Sequence, residues 1–227
     1  MEQMQQTFAI LGGDLRQTYL AKKFLEQGFL VSSYGMKKES SLEGVVVKDQ
    51  LEEAIVSSNH VILPIPFTHD HSSIYHEGNK KDMEIAELMK YIQKGQHLFG
   101  GCLSEELKEH CKNIGVLYTD FMEEDRVAIY NTVATAEGII AEAIMSYPKN
   151  LQGNKALVLG YGKCAKVLAK KLKALDVTVT VVARNEKQIL WAKTDGYHTC
   201  FLEDLSEIID TASLIFNTVP NHILTDG

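Results

Sequence analysis

Arginine is scarce in this chain. Three residues, Arg16, Arg126 and Arg184, stand against 20 lysines. Lysine supplies the solvating charge, so each arginine, with its flat fork of donors, marks a place where a carboxylate or phosphate is expected. All three fall where a turn after a strand is expected. Paired cysteines are also missing: Cys102, Cys111, Cys164 and Cys200 are widely spaced and form no CxxC motif. That excludes a cysteine metal ribbon and points to reduced thiols in a cytosolic chain. There is no run of about 18 apolar residues, so no membrane span is expected. Residues Met1–Gln6 have neither a basic nor an apolar segment, so no secretory signal is expected. Basic excess is absent as well. The net charge of −7 argues against nucleic acid as the main partner.

The chain does contain short apolar runs alternating with helical periodicity. Phe8–Leu11 reads as a buried parallel strand before Gly12-Gly13-Asp14, and Leu20, Ala21, Phe24 and Leu25 recur at helical spacing until Gly28. The alternation continues through strands near Phe29–Ser33, Val45–Val47, His60–Leu63, His97–Phe99 and Val116–Tyr118. Residues 68–82 read as a long polar loop, and Asp120–Asn131 as a charged loop. A helix over Thr132–Tyr147 closes at Pro148-Lys149-Asn150. The pattern then restarts with strands at Ala156–Leu159, Val177–Val182, Tyr197–Phe201 and Ser213–Phe216. The expected fold is α/β, with two doubly wound Rossmann-like domains. The expected organisation is a substrate-side domain over 1–131, a connecting helix and linker over 132–150, and a nucleotide-binding domain over 151–227. That last domain holds about four of the usual six strands, so a truncated C-terminal domain is expected.

Gly160-Tyr161-Gly162-Lys163-Cys164-Ala165 follows a strand and opens an amphipathic helix, in the G-x-G-x-x-A form. Gly160 permits the tight turn, Gly162 lets the backbone approach a pyrophosphate, and Ala165 lets helix and strand pack closely. The next strand ends in Ala183-Arg184-Asn185, with no acid until Glu186. An acid there would hold a ribose 2′-hydroxyl; an arginine accommodates a 2′-phosphate, so NADP is expected over NAD. Asn217-Thr218-Val219-Pro220, after the fourth strand, is expected to line the nicotinamide side. Cys164 at the helix start is read mainly as a small packing residue rather than a reactive thiol.

The first glycine turn, Gly12-Gly13-Asp14-Leu15-Arg16-Gln17, lacks the third small residue and is a poor dinucleotide loop. Its glycines, helix start and arginine still suggest an anion site. Asp14 argues against phosphate, so a carboxylated small molecule is the better fit, with Asp14 as an alternative helix cap. Arg126 and Asn131 are further candidates for substrate contact; pairing of Arg126 with a neighbouring acid is the alternative. His69-Asp70-His71 with His76 is read as a solvated histidine-rich loop, and no metal site is expected.

Taken together, these motifs resemble a known family. Gly12-Gly13-Asp14-x-Arg16-Gln17, Ile62-Leu63-Pro64, Asp125-x-x-Ala128-Ile129-Tyr130-Asn131 with Thr135-x-Glu137-Gly138, Gly160-x-Gly162, Ala183-Arg184 and Asn217-Thr218-x-Pro220 resemble the dipicolinate synthase A subunit, from residue 7 to about 222. The resemblance implies an oxidoreductase of spore formation, in the mother-cell cytoplasm. It would oxidise a dihydrodipicolinate-type intermediate to pyridine-2,6-dicarboxylate with NADP, beside a flavoprotein-like dipicolinate synthase B subunit. A small dicarboxylate substrate is expected, with Arg16 and Arg126 as its forks, and a homo-oligomer is expected. Asp14 and Glu137 are candidates for proton removal. The alternatives are an NADP-dependent dehydrogenase of another small acid, similar to shikimate dehydrogenase, or a non-catalytic NADP-binding subunit.

Overall fold

In a computed structural model, described over residues 6–37, 42–78, 82–219 and 223, the short apolar runs form parallel strands. They are buried because helices cover them. The chain divides into two units, residues 1–125 and 126–227.

The first unit runs β1 (Thr7–Leu11), α1 (Leu15–Glu26), β2 (Leu30–Tyr34), β3 (Val46–Val47), α2 (Leu51–Val56), β4 (His60–Ile62), α3 (Ile85–Tyr91), β5 (His97–Gly100), α4 (Glu105–Ile114) and β6 (Leu117–Asp120). Its sheet order is β3-β2-β1-β4-β5-β6, all parallel. After β3 the chain returns to the other side of β1, so the order reverses between β1 and β4. Ligands of open α/β sheets bind at that reversal, beyond the carboxyl ends of the strands. One core layer gathers Leu11, Ile55, Leu63, Phe67, Ile74 and Leu98; the other gathers Phe8, Ile10, Ala21 and Val31. Phe67, Ile74 and Met83 are buried. The segment expected as a polar loop over 68–82 is therefore pinned at its ends and middle by apolar anchors, although His69, Asp70 and His71 are exposed.

The second unit holds α5 (Asp125–Ser146), β7 (Lys155–Leu159), α6 (Lys163–Ala174), β8 (Thr178–Ala183), α7 (Glu186–Thr194), β9 (His198–Phe201), α8 (Leu205–Ile208) and β10 (Leu214–Asn217). Its four parallel strands are ordered β10-β7-β8-β9. Together they reproduce the first four strands of the Rossmann order, with the reversal between β7 and β10. Val158, Ala165, Leu168, Leu172 and Val181 form the core on one side; Leu157, Leu159, Val182 and Leu205 form it on the other.

Two expectations are corrected. The charged loop expected over Asp120–Asn131 is mostly helix, because α5 starts at Asp125, and the second compact unit begins at residue 126. Negative Asp125 in the first turn suits the positive end of the helix dipole. The arginines also differ from the expected turn positions: Arg16 and Arg126 lie in the first turns of α1 and α5, and only Arg184 directly follows a strand. By length and composition α5 is apolar enough to cross a membrane. It nevertheless buries Ala136 and Ile140 in the second unit's core, and Asp125, Arg126, Glu137 and Glu142 lie along it, so we read it as a packing helix.

Candidate functional site: two glycine turns with opposite fates

Both units place a glycine directly after the first strand of the sheet, and both use it alike. Gly12 donates to the Tyr34 carbonyl at 2.9 Å, and Gly160 donates to the Val182 carbonyl at 2.7 Å. Each has positive φ, +61° and +93°, which glycine adopts without steric cost. Beyond this point the two turns diverge.

In the first unit the turn is closed by its own chain. Gly13 donates to the Tyr75 carbonyl at 2.7 Å, and Glu77 donates back to the Gly13 carbonyl at 3.1 Å. A Cβ on Gly12 would lie 2.5 Å from the Tyr75 oxygen. Asp14 caps α1, and the side chain of Gln17 reaches back to accept from the Asp14 N–H at 3.0 Å. This reciprocal capping box satisfies the donors that an anion would otherwise meet. Gly12, Gly13 and Gln17, expected to bind substrate, are thus engaged in holding the turn. Of the donors expected at this turn, the Arg16 side chain is the one that the glycine closure and the capping box do not use.

Arg16 is itself held. Its Nε lies 3.0 and 3.1 Å from the two Asp14 oxygens, and an Nη2 hydrogen bond of 2.8 Å completes the fork. That hydrogen bond holds the Asp14 carboxyl below its ordinary range and raises the guanidinium. A carboxylate so stabilised in its charged form is a weak proton acceptor, so Asp14 is arranged to orient Arg16. Next to it, Lys37 pairs with Glu77 at 2.5 Å, and the Tyr75 hydroxyl donates to Glu77 at 3.2 Å. The His69 ring stacks on Tyr75 with centroids 4.1 Å apart. Sequence reasoning missed Lys37, Tyr75 and Glu77. Lys37 carried a usable signal, since it follows the carboxyl end of β2; the approach of residues 75–77 to the glycine turn had none. Asp70 caps its own loop by accepting from Ser72, Ser73 and Thr68, and among the described residues no group of three or more His, Cys, Asp or Glu is arranged around a metal.

Among the described residues nothing closes the turn of the second unit. Gly162 is the N-cap of the 12-residue α6, with no side-chain cap and no acidic residue in the first turn. A Cβ on Gly162 would meet nothing within 4 Å. The positive end of α6 thus faces a space that only a backbone this bare leaves clear. Opposite, β10 brings its end to the same reversal. Thr218 donates to the Leu159 carbonyl through both N–H, at 3.2 Å, and hydroxyl, at 2.7 Å. Val219 donates to the Asn217 side chain at 3.1 Å. A Cβ on Gly160 would lie 2.7 Å from Val219 and 3.1 Å from Thr218, so residues 217–219 and the glycine loop do come together. Pro220 lies outside the described residues.

The remaining expected cofactor residues divide by side chain. Tyr161 turns inward: it is 3% exposed and donates to Asp195 at 2.6 Å. Burial first, and the Asp195 contact second, push its phenol well above the ordinary range. Only its backbone can serve the loop. Ala165 is fully buried against the sheet. Cys164 is partly buried, and burial raises its thiol. Lys163 stands in the first helical position. Ala183 is buried at the end of β8, and Asn185 uses its side-chain oxygen to cap α7 by accepting from Lys187 at 2.8 Å. Arg184, between them, is exposed, and among the described residues neither a hydrogen bond nor an ion pair holds it.

The α5 candidates lie elsewhere in the second unit. Glu137 pairs with Lys171 at 2.8 Å, near the C-terminal end of α6. From residue 163 to 171 that helix rises about 12 Å, so the structure does not bring Glu137 to the glycine loop. Arg126 is exposed in the first turn of α5, and the Asn131 carbonyl accepts from Thr135 at 2.9 Å.

Against families of known proteins, residues 7–122 match the N-terminal domain of the dipicolinate synthase A subunit. The chain belongs to the dipicolinate synthase A subunit family. Residues 126–227 match the NAD binding domain of the D-isomer specific 2-hydroxyacid dehydrogenases, so the open turn belongs to a nicotinamide-dinucleotide domain and the chain is an oxidoreductase. A curated relative in this family, the dipicolinate synthase A subunit of Bacillus subtilis (strain 168), is 25% identical over 226 residues, covering 95% of this chain and 73% of the relative. The crystal structure of the A chain of dipicolinate synthase from Bacillus subtilis shares the fold with a TM-score of 0.72 at 23% identity, over 97% of this chain and 75% of that one. The A subunit from Bacillus halodurans gives 0.74 at 24% identity, over 96% and 75%.

Proposed function

We propose that this chain oxidises a dihydrodipicolinate-type ring to pyridine-2,6-dicarboxylate with NADP, as the A subunit of a dipicolinate synthase whose partner is a flavoprotein-like B subunit, in the mother cell of a sporulating bacterium. The observation that carries the cofactor choice is Arg184, exposed at the end of β8, with no hydrogen bond or ion pair among the described residues and no acid beside it in Ala183-Arg184-Asn185. Its guanidinium fork suits a 2′-phosphate, and the missing acid removes the group that would repel it. The uncapped start of α6 and the bare Gly162 backbone receive the pyrophosphate. Asn217, Thr218 and Val219 border the same reversal on the nicotinamide side.

The first unit is the substrate side. Arg16, aimed by Asp14, receives a carboxylate of the ring. In the reaction the ring gives up a hydride and a proton, and the bound dinucleotide supplies the hydride acceptor. Aromatisation favours this direction, which lessens the need for a strong base. Asp14, already committed to Arg16, orients rather than deprotonates.

The test is to give the chain dihydrodipicolinate with NADP+ or NAD+, alone and with the B subunit. Equal amounts of NADPH and pyridine-2,6-dicarboxylate are expected, and more with NADP+ than with NAD+. Product that forms only with the partner would assign the chemistry to the complex. No product in any combination would refute the reading.

A further inference from the structure

Two cations, on different elements, meet at the closed turn of the first unit. Arg16 sits in the first turn of α1, and Lys37 follows β2. Thr18, one helical position from Gln17, donates its hydroxyl to the Lys37 carbonyl at 2.8 Å. Glu77, the partner of Lys37, is tied by its backbone N–H to the Gly13 carbonyl. A Cβ on Gly78 would lie 2.9 Å from the Gly35 carbonyl, so the chain just after β2 runs close against Gly78. The two ion pairs, Arg16–Asp14 and Lys37–Glu77, are therefore held to one turn by backbone ties. Their charges sense each other: Lys37 helps hold Asp14 ionised, and Glu77 helps hold Arg16 charged.

Neither pair exhausts its cation. Arginine has five N–H donors and lysine three. Asp14 engages the Nε edge and one Nη2 hydrogen of Arg16, and Glu77 engages Lys37 Nζ. Both cations are accessible, with side chains 55% and 40% exposed. A ligand can add a carboxylate to each without displacing the carboxylate already there.

We propose that Lys37 is the second anchor beside Arg16, that Asp14 is the positioning residue of the first, and that this turn recognises a small rigid molecule by two carboxylates. The inference rests on reading the first unit as the substrate side, and it adds the residue that distinguishes two carboxylates from one. Lys37 loses one charge-assisted contact when truncated, and Asp14 loses the fork that aims Arg16.

The test is calorimetric titration of the full chain with pyridine-2,6-dicarboxylate and with pyridine-2-carboxylate, without nucleotide. The dicarboxylate should bind about tenfold more tightly or better. Lys37→Met should bring the two ligands to similar affinity. Asp14→Asn, whose amide oxygen still caps α1, should weaken both ligands while the protein stays folded, its melting temperature lowered only by the lost Arg16 ion pair. Lys23→Met, a surface cation of the same helix, should bind both ligands as wild type does. An unchanged preference in Lys37→Met, wild-type binding by Asp14→Asn, or no binding by the wild type would each overturn the proposal. NADPH titrated into the same samples reports on the second unit separately. Retained NADPH binding with no dicarboxylate preference sinks this inference alone, whereas loss of NADPH binding sinks the cofactor reading and leaves the dicarboxylate result to decide this one.

Discussion

Gly162→Ala separates binding from stability. The backbone there has φ −83° and ψ −168°, an extended conformation that alanine adopts freely. The added Cβ meets nothing within 4 Å. Replacing glycine by alanine at a compatible position gains about 0.4–1 kcal/mol, because the unfolded chain has less entropy to lose, but Gly162 is the N-cap of α6, where alanine is disfavoured relative to glycine by a similar amount. The two effects oppose each other, so the melting temperature should stay within roughly 4 °C of wild type. The same methyl projects into the space assigned to the pyrophosphate, so nucleotide affinity should fall at least about tenfold, which is about 1.4 kcal/mol. Thermal melting and titration with NADPH on one preparation measure both effects. Unchanged affinity in a protein of normal or raised stability would refute the placement of the pyrophosphate at this turn. A melting temperature lowered by much more than roughly 4 °C would refute the claim that the space is open.

The other expectations follow from single contacts. Arg184→Ala should weaken NADP+ about tenfold or more and leave NAD+ nearly unaffected, since only the 2′-phosphate loses a charge-assisted partner; Michaelis constants for both nucleotides check it, and a preference for NAD+ in wild type would contradict it. Lys108 is buried among Glu105, Asp120 and Glu123, so Lys108→Met should cost about 2–4 kcal/mol in urea unfolding, less than the full loss for an uncompensated buried charge because Asp120 keeps three backbone donors. Thr218→Val should cost about 0.5–1.5 kcal/mol, because the Leu159 carbonyl retains the Thr218 N–H. Asp14 is depressed below its ordinary 3.8 chiefly by Arg16, so its contribution is complete above that pH and is lost as pH falls through the lowered value; acid titration of Asp14→Asn should lack this component.

Much of the fold was legible because short apolar runs and glycine stops report directly on parallel strands and their turns. The turn after the first strand of each sheet could be placed from Gly12-Gly13 and Gly160-x-Gly162. The start of α5 was missed because Glu123-Glu124-Asp125-Arg126 reads as a solvated loop, whereas charge in a first helical turn is equally compatible with helix. The cofactor loop was legible in its backbone and less so in its side chains. Tyr161 sits inside the motif, yet its ring points to Asp195 on the next crossover. Asn185, expected at the cofactor, also caps α7 through its side-chain oxygen, a role no motif reported. The first turn was the hardest to read. Its closure depends on residues 75–77, more than 60 positions away from Gly12-Gly13, and no local pattern reports a pairing of that separation.

The central claim is that two similar glycine turns have different ligands because one is capped from within and the other is open. Hydrogen exchange with and without saturating NADPH tests it most directly. The account predicts added protection over Gly160–Ala165, residues 183–185 and residues 217–219, with none over Gly12–Gln17. Protection by NADPH centred on Gly12–Gln17, with Gly160–Ala165 unchanged, would contradict it.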